Sequence, residues 1–215
     1  MSSAPPSAGR QLQDEQRPAV VCLARHAETE WSASGRHTGR TDVPLTADGE
    51  RHAARLGALL RALRGHDAPP PPSVVLSSPR RRAVRTAELA GLPSPVVLDE
   101  LAEWDYGDCE GLTTPQIRES VPDWTVWTHP CPGGETAQEV AARADRVLTR
   151  IATLLQSGDV VVVGHGHFSR VLTARWIGLP ATSGVHFALD AGCLTVLGDE
   201  RGVPRLDHVN LAPLP

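Results

Sequence analysis

Arg25 and His26 stand directly behind a short apolar run, residues 19–24 (AVVCLA), and His165 stands directly behind a second, residues 159–164 (DVVVVG). A third apolar run, residues 73–76 (SVVL), leads into Ser77-Ser78-Pro79-Arg80-Arg81-Arg82. A neutral imidazole is a competent nucleophile toward phosphorus when one ring nitrogen is free and the other is held by a hydrogen bond. Arginine makes planar, two-pronged contacts to phosphate oxygens, and a helix N-terminus adds backbone N–H groups and a favourable dipole. Two histidines and two arginines at strand ends would therefore make a pocket for a dianion. Each residue also has a plainer reading. A histidine behind a strand is more often structural, and an arginine triplet reads equally as a solvated helix face or a weak nucleic-acid patch. Adjacent residues on a helix point in different directions, so one of the three arginines is expected to turn inward.

Glu103 lies in Leu101-Ala102-Glu103-Trp104-Asp105-Tyr106-Gly107, where the regular pattern loosens. A carboxyl beside Trp in a partly dry loop can keep its proton and act as a general acid. An ordinary surface glutamate fits the local sequence at least as well. His165-Gly166-His167 suggests a third chemistry, since alternate residues of a strand share a face and two such rings can chelate a metal. No carboxylate-rich cluster accompanies them, so neither a metal nor another cofactor is expected.

The elements that must position these groups follow from hydrophobic spacing. Thr46 caps a helix reaching residue 63, with Ala54, Leu56, Leu59, Leu60 and Leu63 as its apolar positions. Prolines 69–72 form a stiff linker, and Pro79 sits in the first turn of a helix to residue 90. Residues 96–98 are a third strand. Residues 100–132 are irregular, hold Trp104, Tyr106, Trp124 and Trp127, and allow one short helix after Thr114. Thr136 and Glu139 form a capping box for a helix with Val140, Ala144, Val147, Ile151 and Leu154 on one face. A helix through residue 177 follows His165, and two or three strands broken by Gly192 and Gly202 occupy residues 186–211. Strands alternating with amphipathic helices imply an α/β sandwich around a mostly parallel sheet, with sites outside the carboxyl ends of the strands.

The chain has 215 residues and reads as one domain, 18–215, behind a polar leader, 1–17, that is expected to be disordered. The leader has no apolar core of a signal peptide, and no run is long enough to span a bilayer, so a cytoplasmic protein without membrane partners is expected. A formal charge of −4 gives no pull toward nucleic acid. The four cysteines are scattered and read as reduced thiols. All 21 basic residues are arginine.

Five segments in order then carry a resemblance. Arg25-His26-Ala27-Glu28-Thr29-Glu30-Trp31 is similar to R-H-G-E-T-x-W, and Thr38-Gly39-Arg40-Thr41-Asp42-Val43-Pro44-Leu45-Thr46 to T-G-x-T-D-x-P-L-T. Residues 77–87 are similar to S-S-P-L-x-R-A-x-x-T-A, residues 103–111 to E-x-x-Y-G-x-x-E-G, and His165-Gly166 to the late H-G. From about residue 20 to 211 the chain resembles the histidine phosphatase superfamily, also called phosphoglycerate-mutase-like. Residues 103–107 and 164–170 are most similar to its bacterial acid phosphatase branch and to sugar-bisphosphate phosphatases. Ala27 replaces the usual Gly, tolerable if its φ is negative, and Arg80 replaces the usual Leu.

The resemblance implies a three-layer α/β/α sandwich and a phosphomonoester hydrolase of small metabolites, sugar phosphates among them, with broad specificity. It implies that His26 accepts the phosphoryl group, that Arg25, Arg82 and His165 hold it, and that Glu103 protonates the leaving oxygen. Ser32, Thr38 and Gly166 would lie near the phosphate. The residues themselves offer Trp104, Tyr106, Trp124, Trp127 and His167 as candidates to contact the substrate, with any Trp equally a core residue. A homodimer through sheet edges is a further family expectation. Two alternatives share the site: a phosphoglycerate mutase and a non-catalytic phosphate-binding regulatory domain. The mutases carry added basic residues that grip a carboxylate, including a Lys where this chain has Thr114 and an arginine pair where it has Pro130 and Cys131.

Overall fold

The structure, a computed structural model, describes residues 18–63, 72 and 74–214. The expected leader, Ser73 and the linker apart from Pro72 lie outside the described residues. A six-stranded sheet forms the middle layer in the order β3-β2-β4-β1-β5-β6. Its strands are β1 (Val21–Arg25), β2 (Val74–Ser77), β3 (Val96–Val97), β4 (Val160–Gly164), β5 (Leu194–Glu200) and β6 (Val203–Leu211). The first four are mutually parallel. β5 and β6 add an antiparallel hairpin beside β1.

Period-two alternation assigns the two faces. Val21, Leu23, Val160 and Val162 point to one side, where they meet α5 (Ala137–Leu154) through Val140, Ala144, Val147 and Ile151 and α6 (Gly166–Trp176) through Phe168, Val171 and Leu172. Cys22, Ala24, Val161 and Val163 point to the other, against Leu56 and Leu60 of α2 (Ala47–Leu63) and Ala83 and Ala87 of α3 (Arg81–Leu89). The three-layer sandwich is thus the one expected. Both faces of β1 and β4 are buried, which explains why these strands read as unbroken apolar runs.

Several boundaries shift for local reasons. The buried stripe of α2 is Gly49, Ala53, Leu56, Gly57 and Leu60, and Ala54 faces solvent. Gly57 belongs to that stripe because α2 meets the end of α3 there; a Cβ would sit 2.1 Å from the Ala90 carbonyl oxygen. Helix α3 begins at Arg81, since Arg80 is still extended. β3 is a two-residue edge strand with both valines half exposed, and Leu98 is the residue that turns inward. The capping boxes at Thr136–Glu139 and Thr113–Gln116 form, the second opening α4 (Thr114–Arg118).

Candidate active site

Strand pairing brings three distant segments together. β4 lies between β1 and β2, and the chain leaves all three at the same edge: His26 N donates to the Gly164 carbonyl at 2.9 Å and Ser78 N to the Val163 carbonyl at 3.0 Å. Beyond that edge lies a cavity of about 150 Å³. Arg25, His26, Ser32, Thr38, Glu103, Tyr106, Gly166 and His167 line it.

His26 is 5% exposed. Its Nδ1 lies 2.8 Å from the Ala27 carbonyl oxygen. A carbonyl only accepts, so Nδ1 carries the hydrogen and a neutral ring leaves its Nε2 lone pair free. Burial, then the charges of Arg82 and Arg25, push the imidazole well below its ordinary pKa. The ring is therefore unprotonated at neutral pH. Ala27 N donates to Thr86 Oγ1 at 3.1 Å, and Thr86 donates onward to the Arg82 carbonyl at 2.7 Å. Ala27 is absent from the left-handed residues, so Ala fits where the R-H-G-E-T-x-W pattern has Gly.

Arg82 and His165 lie behind the cavity wall, both fully buried. Arg82 donates from Nη1 to the Thr41 carbonyl at 2.7 Å and from Nη2 to Thr38 at 2.9 Å. It is the inward-turned arginine of its triplet; Arg81 is exposed and Arg80 half-buried. The His165 ring sits 5.2 Å from that of His26, with Nε2 2.6 Å from Ser78 Oγ. Burial foremost, and Arg82 next, lower its pKa as well. Arg25 lines the cavity and is aimed by its Nη1 bond to the Leu189 carbonyl, 2.8 Å. Three buried nitrogens here, Arg25 Nε, Arg82 Nε and His165 Nδ1, have no protein partner.

Glu103 closes another side of the cavity. Its Oε1 accepts from Trp104 N and Phe168 N, both at 2.8 Å, and its Oε2 from His167 N at 2.9 Å. Oε1 has no lone pair left, so a proton on this carboxyl sits on Oε2. His167 Nδ1 is 2.6 Å from Tyr106 Oη, and the two side chains share this wall. The two rings that a metal reading would pair, His165 and His167, open a helix and hold different partners, Ser78 and Tyr106. Among the described residues no group of His, Cys, Asp or Glu is placed to hold a metal.

One expectation needs correcting. Trp104 does not line the cavity. It is 1% exposed, donates to the Glu135 carbonyl at 2.9 Å and packs edge-on against Trp127, because a ring of that size completes the core beneath the loop. Ser32 reaches the cavity, but its hydroxyl caps α1 (Glu30–Ala33) through Thr29. The sequence reading missed Arg36, His37, Arg170 and Leu189 on the lining. His37 directly precedes Thr38, and Arg170 is one helical turn past Gly166 and His167, so adjacency and i, i+4 spacing were available signals. Leu189 gave none, since its carbonyl does the work. His37 is 9% exposed, stacked on His167 at 5.8 Å between ring centres, and burial lowers its pKa to about 4.

A family profile described as histidine phosphatase superfamily (branch 1) matches residues 21–212. The chain belongs to that superfamily. This histidine phosphatase is 48% identical to an acid phosphatase of Mycobacterium tuberculosis, over 91% of its own length and 94% of that protein's. It is 35% identical to sedoheptulose 1,7-bisphosphatase of Saccharomyces cerevisiae, over 73% of this chain and 67% of the other. A solved structure of a Mycobacterium tuberculosis open reading frame superposes with a TM-score of 0.86 at 47% identity, covering 92% of this chain and all of that one. On this footing the chain is an enzyme, a phosphatase of the histidine phosphatase superfamily. No helix among the described residues is long and apolar enough to cross a membrane.

Proposed function

We propose that the enzyme hydrolyses small phosphomonoesters through a phosphohistidine on His26. The observation that carries this is the hydrogen bond from His26 Nδ1 to the Ala27 carbonyl, which leaves the Nε2 lone pair free on a neutral ring that lines the cavity. The Nε2 lone pair attacks phosphorus as the bond to the leaving oxygen breaks. Glu103 gives that oxygen its Oε2 proton. Water then attacks phosphorus, its proton goes to the Glu103 carboxylate, and the P–N bond electrons return to His26.

Arg25, Arg82 and His165 supply the fixed positive and donor groups for the phosphoryl oxygens, which is the main source of rate in phosphoryl transfer. Arg25 does so from the cavity lining, and Arg82 and His165, buried behind it, each keep a nitrogen without a protein partner. Ser78 Oγ accepts from Arg80 N at 3.3 Å; donating its hydroxyl to His165 Nε2 then places the ring proton on Nδ1. The names of the relatives extend the reading to several small substrates, sugar phosphates included. The four cysteines are buried and form no disulfide, which suits a reducing compartment such as the cytoplasm.

Hydrolysis is favoured over mutase chemistry by what occupies the place of the mutase lysine. Thr114 stands there, with its Oγ1 3.2 Å from His37 Nε2, and burial keeps that imidazole uncharged at neutral pH. Given 3-phosphoglycerate with catalytic 2,3-bisphosphoglycerate, the enzyme is expected to release phosphate faster than it forms 2-phosphoglycerate. Isomer formation outpacing release would make the mutase reading correct. Prolonged EDTA treatment is expected to leave the rate unchanged; loss restored by zinc or magnesium would contradict the proposed route.

A further inference from the structure

Glu103 belongs to no regular element, yet a proton donor must be held to within a fraction of an ångström. Its carboxylate is fixed by the first turn of α6. Its backbone is fixed from the opposite side by Arg143 of α5, a residue with no part in the steps above. Arg143 is 9% exposed, and all of its guanidinium donors are spent on this segment and its support. Nη1 donates to the Glu100 carbonyl at 2.8 Å and the Ala102 carbonyl at 2.6 Å. Nη2 reaches the Glu103 carbonyl at 3.4 Å and Glu135 Oε2 at 2.6 Å, and Nε reaches Glu135 Oε1 at 2.9 Å. The guanidinium face lies 4.1 Å from the ring centre of Phe168, whose own N–H holds Glu103 Oε1. Glu135 completes the frame: its Oε2 accepts from Asp105 N at 3.0 Å and its carbonyl accepts from Trp104 Nε1.

We infer that Arg143, seated by Glu135, is the positioning residue that sets Glu103 for proton transfer to the leaving oxygen. The inference rests on the acid role proposed for Glu103. The planar fork of an arginine meets carbonyls 100, 102 and 103 at once, whereas a lysine at 143 keeps the charge but presents its donors from a single point. The charge is thus separable from the geometry.

Proton donation matters most when the leaving oxygen is a poor leaving group. The test therefore compares kcat/KM for an alkyl phosphate, such as glycerol phosphate, with kcat/KM for p-nitrophenyl phosphate, whose leaving group needs little protonation. The ratio of the two is independent of how much of a preparation is folded. Arg143→Lys is expected to lower the alkyl-to-aryl ratio about tenfold, and Glu103→Gln by about a hundredfold, within the range of general acid contributions. Glu135→Gln, a milder change, is expected to lower the ratio by a few-fold and decides the matter if Arg143→Lys yields no active protein. An unchanged ratio in the Arg143 or Glu135 variant beside a lowered one in Glu103→Gln overturns the positioning role and leaves the phosphatase reading standing. An unchanged ratio in Glu103→Gln overturns the acid role itself, and the inference with it.

Discussion

His26 and Glu103 face one cavity from backbones of opposite kinds. His26 is the first residue beyond β1, and strand hydrogen bonds on both sides fix it: the carbonyls of Cys193 and Gly164 take the N–H groups of Arg25 and His26 at 3.0 and 2.9 Å. Glu103 sits between two short 3-10 turns, Asp99–Leu101 and Gly107–Cys109, and is held by side chains and close backbone approach. Gly107 shows how close: its φ is +48° and a Cβ would lie 2.1 Å from the Pro132 carbonyl oxygen. A sheet edge places a nucleophile at little local cost. An irregular segment needs a dedicated frame, here Arg143, Glu135 and the start of α6. The difference predicts that damage on the sheet side removes chemistry outright, while damage on the loop side grades with how badly the segment shifts.

His26→Ala tests the sheet side at its strongest. With no nucleophile the covalent route is closed, and kcat is expected to fall at least about a thousandfold with the fold intact by circular dichroism. Retention of near-native kcat would remove the proposed mechanism. Ser78→Ala probes a subtler part of the same side. It leaves His165 in place but frees its tautomer, so kcat is expected to fall roughly tenfold, the scale of one weakened charge-assisted hydrogen bond. A wild-type rate would mean that Ser78 does not orient His165.

A further expectation concerns pH and stability. His37 has an ordinary pKa of 6.5 unfolded and about 4 when folded, a lowering caused mainly by burial. Between those values the unfolded chain binds the extra proton. The contribution is complete above pH 6.5 and is lost as pH falls toward 4, by about 3 kcal/mol at most. His26, His165 and His167 are lowered as well and act in the same direction. Urea midpoints are therefore expected to drop steadily from pH 7 to pH 4.5, and less steeply in His37→Gln. Equal slopes would deny His37 this role. The lowered pKa of His26 has the opposite consequence for rate. The nucleophile stays unprotonated below pH 6.5, so the acid limb of kcat/KM is expected below that value.

The same division explains what could be read from the sequence. β1, β4 and β2 are buried on both faces, and their apolar runs announced where Arg25-His26, His165 and the arginine triplet would emerge. The three-layer architecture followed from the alternation of those runs with amphipathic helices. Glu103 could be singled out only through the family resemblance, because apart from the bond from Trp104 N the bonds that hold it come from Arg143, His167 and Phe168, none of them near in sequence. Arg143 interrupts the apolar face of α5 and looks like a surface charge in a periodicity reading. Trp104 was misplaced for a related reason: nothing in an irregular stretch says which tryptophan faces a pocket and which fills the core. His37 lay one residue before a motif already noted and was still missed, since a lone histidine carries no period.

The central claim is covalent transfer to His26, and trapping the intermediate tests it most directly. Enzyme mixed briefly with a 32P-labelled phosphomonoester and quenched in denaturant should carry label that is stable in alkali, released by mild acid and confined to the peptide containing His26. Rapid turnover with no such label on the native enzyme, or the same label on His26→Ala, would contradict the mechanism.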